Sequence, residues 1–88
     1  MPRKIVKKIL PIWFEKVASG EKQVEVRLAD FDISEGDFLI LREWDPVEQK
    51  FTGRELVKKV KRVHRVPIAE YYDVEKIKKY GIYLIEFT

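Results

Sequence analysis

The 88-residue sequence contains no cysteine, one methionine and one histidine. Without thiols there is neither a disulfide framework nor thiolate chemistry, and His64 alone cannot assemble a histidine-based metal site. No metal and no cofactor is expected, and His64, set in a basic run, reads as solvated. Also missing is any apolar run approaching ~18 residues, and Arg3, Lys4, Lys7 and Lys8 interrupt the stretch where a secretory leader would need continuous apolar residues. The expectation is a cytoplasmic monomer that makes no membrane contact. Linkers, repeats and low-complexity tracts are absent too, so residues 1–88 read as one domain.

What is present suffices for a core. Hydrophobic residues make up 45% and aromatics 12% of the chain, which argues against disorder despite 38% charged residues. High charge with little Cys and Met resembles the bias of proteins from hot environments. A chain of this length buries only about 60–65% of its unfolded surface, enough for one modest core. The net charge of +3 is unevenly spread. Residues 1–8 carry four bases and no acid, and residues 58–65 carry Lys58, Lys59, Lys61, Arg62 and Arg65 and no acid. These segments hold +9, and the remaining nine bases against 15 acids hold −6. Such clustering suits a polyanion, because each cation that neutralises a phosphate releases a counterion. It equally suits charged strand faces that resist edge-to-edge pairing.

Residues 5–10 read as a strand, followed by a short helix that opens on Pro11, where a missing N–H costs nothing, and stops at Gly20. Trp13, Phe14, Val17 and Ala18 make its apolar face, so Trp13 is expected in the core. Strict alternation in Gln23–Leu28 predicts a second strand with Val24, Val26 and Leu28 on one face and Glu25 and Arg27 on the other. Phe38–Trp44, apolar on both faces, reads as a central strand, and Asp45-Pro46 opens a turn reaching Thr52-Gly53. Residues 55–66 are ambiguous. Leu56, Val57, Val60, Val63 and Val66 fit a helical stripe, whereas four valines favour a strand. A turn and short helix are expected over residues 67–80, with Asp73 as N-cap and Gly81 as the stop, and Ile82–Phe87 closes the chain as a strand paired on both sides.

Chemistry concentrates in Gly20-Glu21-Lys22-Gln23-Val24-Glu25-Val26-Arg27. Glu25 and Arg27 share a strand face, and Lys22 joins them only if it lies in the turn before pairing begins. A Glu25–Arg27 pair would hold the guanidinium in one orientation with donors left for a phosphate, carboxylate or base edge. Lys22 could serve as a base or polarise a carbonyl. The plain alternative is a surface ion pair worth under about 1 kcal/mol.

The pattern G-x-K-x-x-E-x-R, as Gly20, Lys22, Glu25 and Arg27, resembles the signature of the ASCH domain of the PUA-like superfamily. Ile9-Leu10-Pro11, Glu35-Gly36-Asp37, Trp44-Asp45-Pro46 and Thr52-Gly53-Arg54 resemble the small single-domain group DUF3850. The resemblance implies an α+β fold: a small mixed or antiparallel PUA-like β-barrel of about five or six strands, with one or two short helices beside a cleft lined by the motif. It implies that residues 54–65 form a long strand, with a bulge or bend that lets both Val57/Val63 and Leu56/Val60 find cover. It further implies RNA or nucleotide binding, with Gly20, Lys22, Glu25 and Arg27 in the cleft, Trp44 stacking a base, and Lys58, Lys59, Lys61, Arg62 and Arg65 as a backbone track. Some relatives of this kind are a metal-assisted ribonuclease, others amidohydrolases of acylated cytidines. In the latter a lysine and a threonine act; Lys22 matches the lysine, but Glu25 stands where the threonine would be, and Glu70 is a weak match to a further carboxylate. Lys22 and Glu25 are therefore catalytic candidates only in the enzymatic alternative. The third alternative is a small-ligand or protein-interaction module.

Overall fold

The computed structural model describes residues 2–66 and 75–88. Its elements are β1 (Lys4–Ile9), α1 (Pro11–Ala18), β2 (Val24–Leu28), β3 (Phe38–Asp45), β4 (Lys50–Val66), α2 (Glu75–Tyr80) and β5 (Ile82–Phe87). Glu70 and the Asp73 cap expected from sequence lie outside the described residues.

The strands form one mixed sheet in the order β1-β3-β4-β5-β2. β1 runs parallel to β3, and the other pairs are antiparallel. The α+β class is as expected, but the barrel is not closed. Among the described residues β1 pairs only with β3 and β2 only with β5, so each leaves one backbone edge without a strand partner there. β3 and β5 each have a neighbouring strand on both sides.

β4 resolves the ambiguity at residues 55–66. Leu56, Val60 and Val63 all pack on the core, and the register with the neighbouring strands shifts between Val60 and Arg62. One extra residue switches the inward phase from even to odd numbers. A strand broken this way repeats at four and then three residues, which imitates a helical stripe. The expected bulge is present, but Val57 finds no cover and is 57% exposed.

The core comprises Ile9, Phe14, Val17, Ile33, Leu39, Leu41, Val60, Ile85 and Phe87. α1 starts at Pro11, as its missing N–H allows, and lays Phe14 and Val17 on this core. Trp13 does not follow them. It sits one residue, about 100°, off the Phe14–Val17 line and is 44% exposed, so its expected core position is corrected. Eight residues of helix over a small sheet bury one stripe only.

Two buried carboxylates brace the frame. Asp37 accepts from the Arg3 and Ser34 backbone N–H groups and from the Arg3 guanidinium, tying the start of β1 to that of β3. These hydrogen bonds, led by the Arg3 backbone, hold its carboxyl below the ordinary carboxylate value. Glu43 accepts a two-pronged guanidinium contact from Arg54 at 3.0 and 2.7 Å and the Thr52 hydroxyl at 2.7 Å. Its carboxyl is also held low, chiefly by Arg54 and then Thr52. Arg54 also donates to Glu15 and lies 4.4 Å over the Phe14 ring, so it clamps α1 to the sheet.

Candidate functional site

β2 turns its charged face inward. Glu25 is 5% exposed while Val26 is 58% exposed, so the alternation read from sequence holds but polar side chains take the sheltered side. The reason is β2's position at the open edge. Its sheltered face meets the end of β1 and the start of α1 rather than the middle of the core.

The turn after α1 delivers the lysine. Gly20, at φ 84°, donates its N–H to the Val17 carbonyl, and the Lys22 N–H reaches back to the Lys16 carbonyl. Lys22 is thus tethered to the helix end, two residues before β2 begins, where it can turn toward Glu25. The Lys22 ammonium lies 2.7 Å from one Glu25 oxygen, and Arg27 Nε donates to the other at 2.6 Å. With 26% side-chain exposure on each cation and 7% on the carboxylate, this is a half-buried triad rather than a surface pair.

Arg27 also spans the gap in the sheet. Its Nη2 donates to the Lys8 carbonyl at 2.6 Å, so a side chain links β2 to β1 where a barrel would have backbone hydrogen bonds. Beneath this link is a cleft of about 400 Å³. Lys8, Lys22, Glu25 and Arg27 supply its polar lining, and Ile9, Leu10, Trp13 and Val26 its apolar lining. Its volume sits near the low end for small-molecule sites, a fit for one planar ring system rather than an extended ligand. Glu25 has both oxygens engaged, whereas the Lys22 ammonium and Arg27 Nη1 keep donors beyond those contacts. The cleft therefore offers donors and an indole face, the complement of an acceptor-rich aromatic or an anion.

The other sequence candidates lie elsewhere. Gly20 shapes the turn but does not line the cleft. Trp44 alternates away from buried Glu43 and packs edge-on to Phe51 at 5.0 Å. The basic run of β4 is divided between faces. Lys59 lies opposite Phe38 on the outer face, and Lys58, opposite buried Leu39, lies on the inner one. Lys61 falls at the register shift, and Arg62 pairs with Glu86 on β5. Glu86 in turn contacts His64 at 3.1 Å, and this contact leads the causes that hold its carboxyl low. Arg65 donates to the Tyr80 and Lys79 carbonyls at the end of α2. These cations do not form one track, and none lines the cleft.

Trp13 is the cleft aromatic that pattern reading missed. A signal for it was available, because a helix this short cannot bury adjacent residues such as Trp13 and Phe14 alike. Among the described residues, no cluster of three or more His, Asp or Glu is placed to hold a metal ion, and no helix is long and apolar enough to cross a membrane.

A family model described as a domain of unknown function, DUF3850, matches residues 6–77. A search of curated proteins gives no match. The chain is similar in fold to a solved structure titled "Crystal structure of hypothetical protein PH0355", with a TM-score of 0.69, 22% sequence identity, and coverage of 99% of this chain and 97% of that one.

Proposed function

Since the chain belongs to the DUF3850 family, we propose that its cleft binds an RNA base or a nucleotide, in an ASCH-like domain of the PUA-like kind. The observation that carries this reading is the junction of Lys22, Glu25 and Arg27 with the Trp13 indole in one cleft. Glu25 sets the direction of both cations, whose remaining donors meet base carbonyls or phosphate oxygens, and Trp13 supplies the stacking face. Gly20 contributes through the turn that aims Lys22.

The enzymatic reading draws on the 2.7 Å Lys22–Glu25 contact, which places a cation beside a carboxylate as hydrolysis of an acylated cytidine would need. Against it, the cleft lining among the described residues includes no hydroxyl or thiol nucleophile, and both Glu25 oxygens are already engaged by cations, which lowers the basicity available to activate water. Binding is the better supported use.

An NMR titration with cytidine, acylated cytidine and a short single-stranded RNA tests the proposal. Shifts should centre on Lys22, Glu25, Arg27 and the Trp13 indole, and disappear in Lys22→Ala. RNA affinity that stays constant from about 50 to about 300 mM salt would refute the phosphate contacts. Release of the acyl group by the wild type, lost in Lys22→Ala, would move the assignment to hydrolysis.

A further inference from the structure

Among the described residues, no helix packs over the outer face of β1, β3 and the first half of β4, where Phe38, Ile40 and Trp44 are half-buried. On the opposite face Leu39, Leu41 and Glu43 are buried, so the alternate residues Phe38, Ile40, Arg42 and Trp44 point outward. The registers extend these into rows: Lys4, Phe38 and Lys59; Val6, Ile40 and Val57; Lys8, Arg42 and Glu55; then Trp44 beside Phe51. Val6, Val57 and Phe51 are 51%, 57% and 42% exposed, and α1 packs on the core side through Phe14 and Val17.

This face combines aromatic rings with one sign of charge. Among the described residues it carries Lys4, Lys8, Arg42 and Lys59 against one carboxylate, Glu55, which lies 3.6 Å from Arg42. The Lys8 ammonium sits 4.1 Å over the Trp44 ring and the Arg42 guanidinium 4.8 Å over Phe51. Phe51 is exposed and Trp44 half-buried, and cations held on such rings are exchangeable. A base can take the ring face while the displaced ammonium moves to the adjoining phosphate, so both groups keep an attractive contact. The two cationic rows are four strand residues apart, about 13 Å, so a backbone running along the strands for a few nucleotides meets both. A second copy of the chain is disfavoured here, since stacking two such faces would oppose their cations.

We propose that this outer sheet face is a platform for single-stranded nucleic acid, with Trp44 and Phe51 stacking bases and Lys4, Lys8, Arg42 and Lys59 contacting the backbone. Of these residues Lys8 alone also lines the cleft, and the platform does not depend on the assignment made there.

The two tryptophans separate the outcomes, because Trp13 reports the cleft and Trp44 the platform. In Trp13→Phe protein, oligo-uridine or oligo-thymidine of about 12 nucleotides, within the span single-strand sites cover, should quench Trp44 emission. Log affinity should fall against log salt with a slope of about −3, as four phosphate contacts on a single strand give. Exposed Lys4→Glu with Lys59→Glu, both away from the cleft lining, should leave the melting temperature unchanged and reduce that slope by about half. Phe51→Leu should weaken binding by about 5- to 150-fold, the range for loss of one stacked base. Quenching of Trp13 in a Trp44→Phe protein, with no response from Trp44 in Trp13→Phe, would overturn the platform and leave the cleft reading intact. No response from either tryptophan would overturn both. Self-association that shifts Trp44 emission and is not displaced by oligonucleotide would overturn the platform in favour of a second copy.

Discussion

Replacing Glu25 by glutamine removes one charge and almost no volume from the centre of the cleft. In the native protein this carboxylate, 5% exposed, neutralises Lys22 at 2.7 Å and Arg27 at 2.6 Å. The variant places two cations around a neutral amide whose oxygen can accept from one of them and whose NH₂ group opposes the other. Each charge-assisted hydrogen bond contributes about 1.5–3 kcal/mol net against about 1 for a neutral one. Breaking a fully buried pair costs about 3–5 kcal/mol, but Lys22 and Arg27 keep 26% side-chain exposure and can rehydrate in part. The expected destabilisation is therefore about 2 kcal/mol. For a domain of this size that corresponds to a melting temperature lowered by roughly 8–16 °C. Urea denaturation at pH 7 reads it directly as a lower midpoint with unchanged slope. Glu25→Gln/Arg27→Gln should recover part of the loss, because it removes the cation left without a partner. A Glu25→Gln change below about 0.5 kcal/mol, the range of ordinary surface substitutions, would refute the argument that this triad is half-buried and mutually dependent.

Acid should destabilise the fold through Asp37, Glu43 and Glu86, whose carboxyls are held below their ordinary values of 3.8, 4.5 and 4.5. A lowered native value means the stabilisation is full above the unfolded value and is lost as pH falls through the native one, so melting temperature should decline from about pH 4.5 downward. Glu43→Gln should flatten that decline, and a melting temperature constant from pH 5 to 2.5 would contradict the assignment. Gly20→Ala meets no atom within 4 Å but must keep φ near 84°, so it should cost about 1–2 kcal/mol by thermal melting. Gly81→Ala should cost more, because its Cβ would also meet Arg65 Nε at 3.2 Å and the Val66 carbonyl at 3.4 Å; equal losses at the two sites would count against this packing. Leu41→Ala, at 0% exposure between flanking strands, should lose about 2–5 kcal/mol in chemical denaturation, and a loss below 1 would place it outside the core.

Local signals in the chain were sufficient for most of the elements, β4 excepted. Pro11 and Gly20 bracket α1, the Glu25/Arg27 alternation marks β2, and Gly81 separates α2 from β5. The motif spacing even stated the condition for convergence, that Lys22 precede the pairing of β2, and the tether of its N–H to Lys16 meets it. These properties depend on backbone geometry over a few residues, which is why they are legible without a fold.

Tertiary structure decided whatever depended on which surface lay opposite. Alternation assigns Glu25 and Val26 to different faces but not to inside or outside, and the open edge beside β1 and α1 gave shelter to the charged one. The 56, 60, 63 repeat is the same for a helix and for a strand with one extra residue, until β3 and β5 supply the two registers. Trp13 left the core because Phe14 and Val17 had filled the one stripe that a two-turn helix covers. The absence of cysteine, long apolar runs and clustered histidine narrowed the chemistry at the outset. Where the 18 cations lie was settled only by folding. A linear run such as residues 58–65 sends alternate side chains to opposite faces, so charge that is continuous in sequence is divided in space.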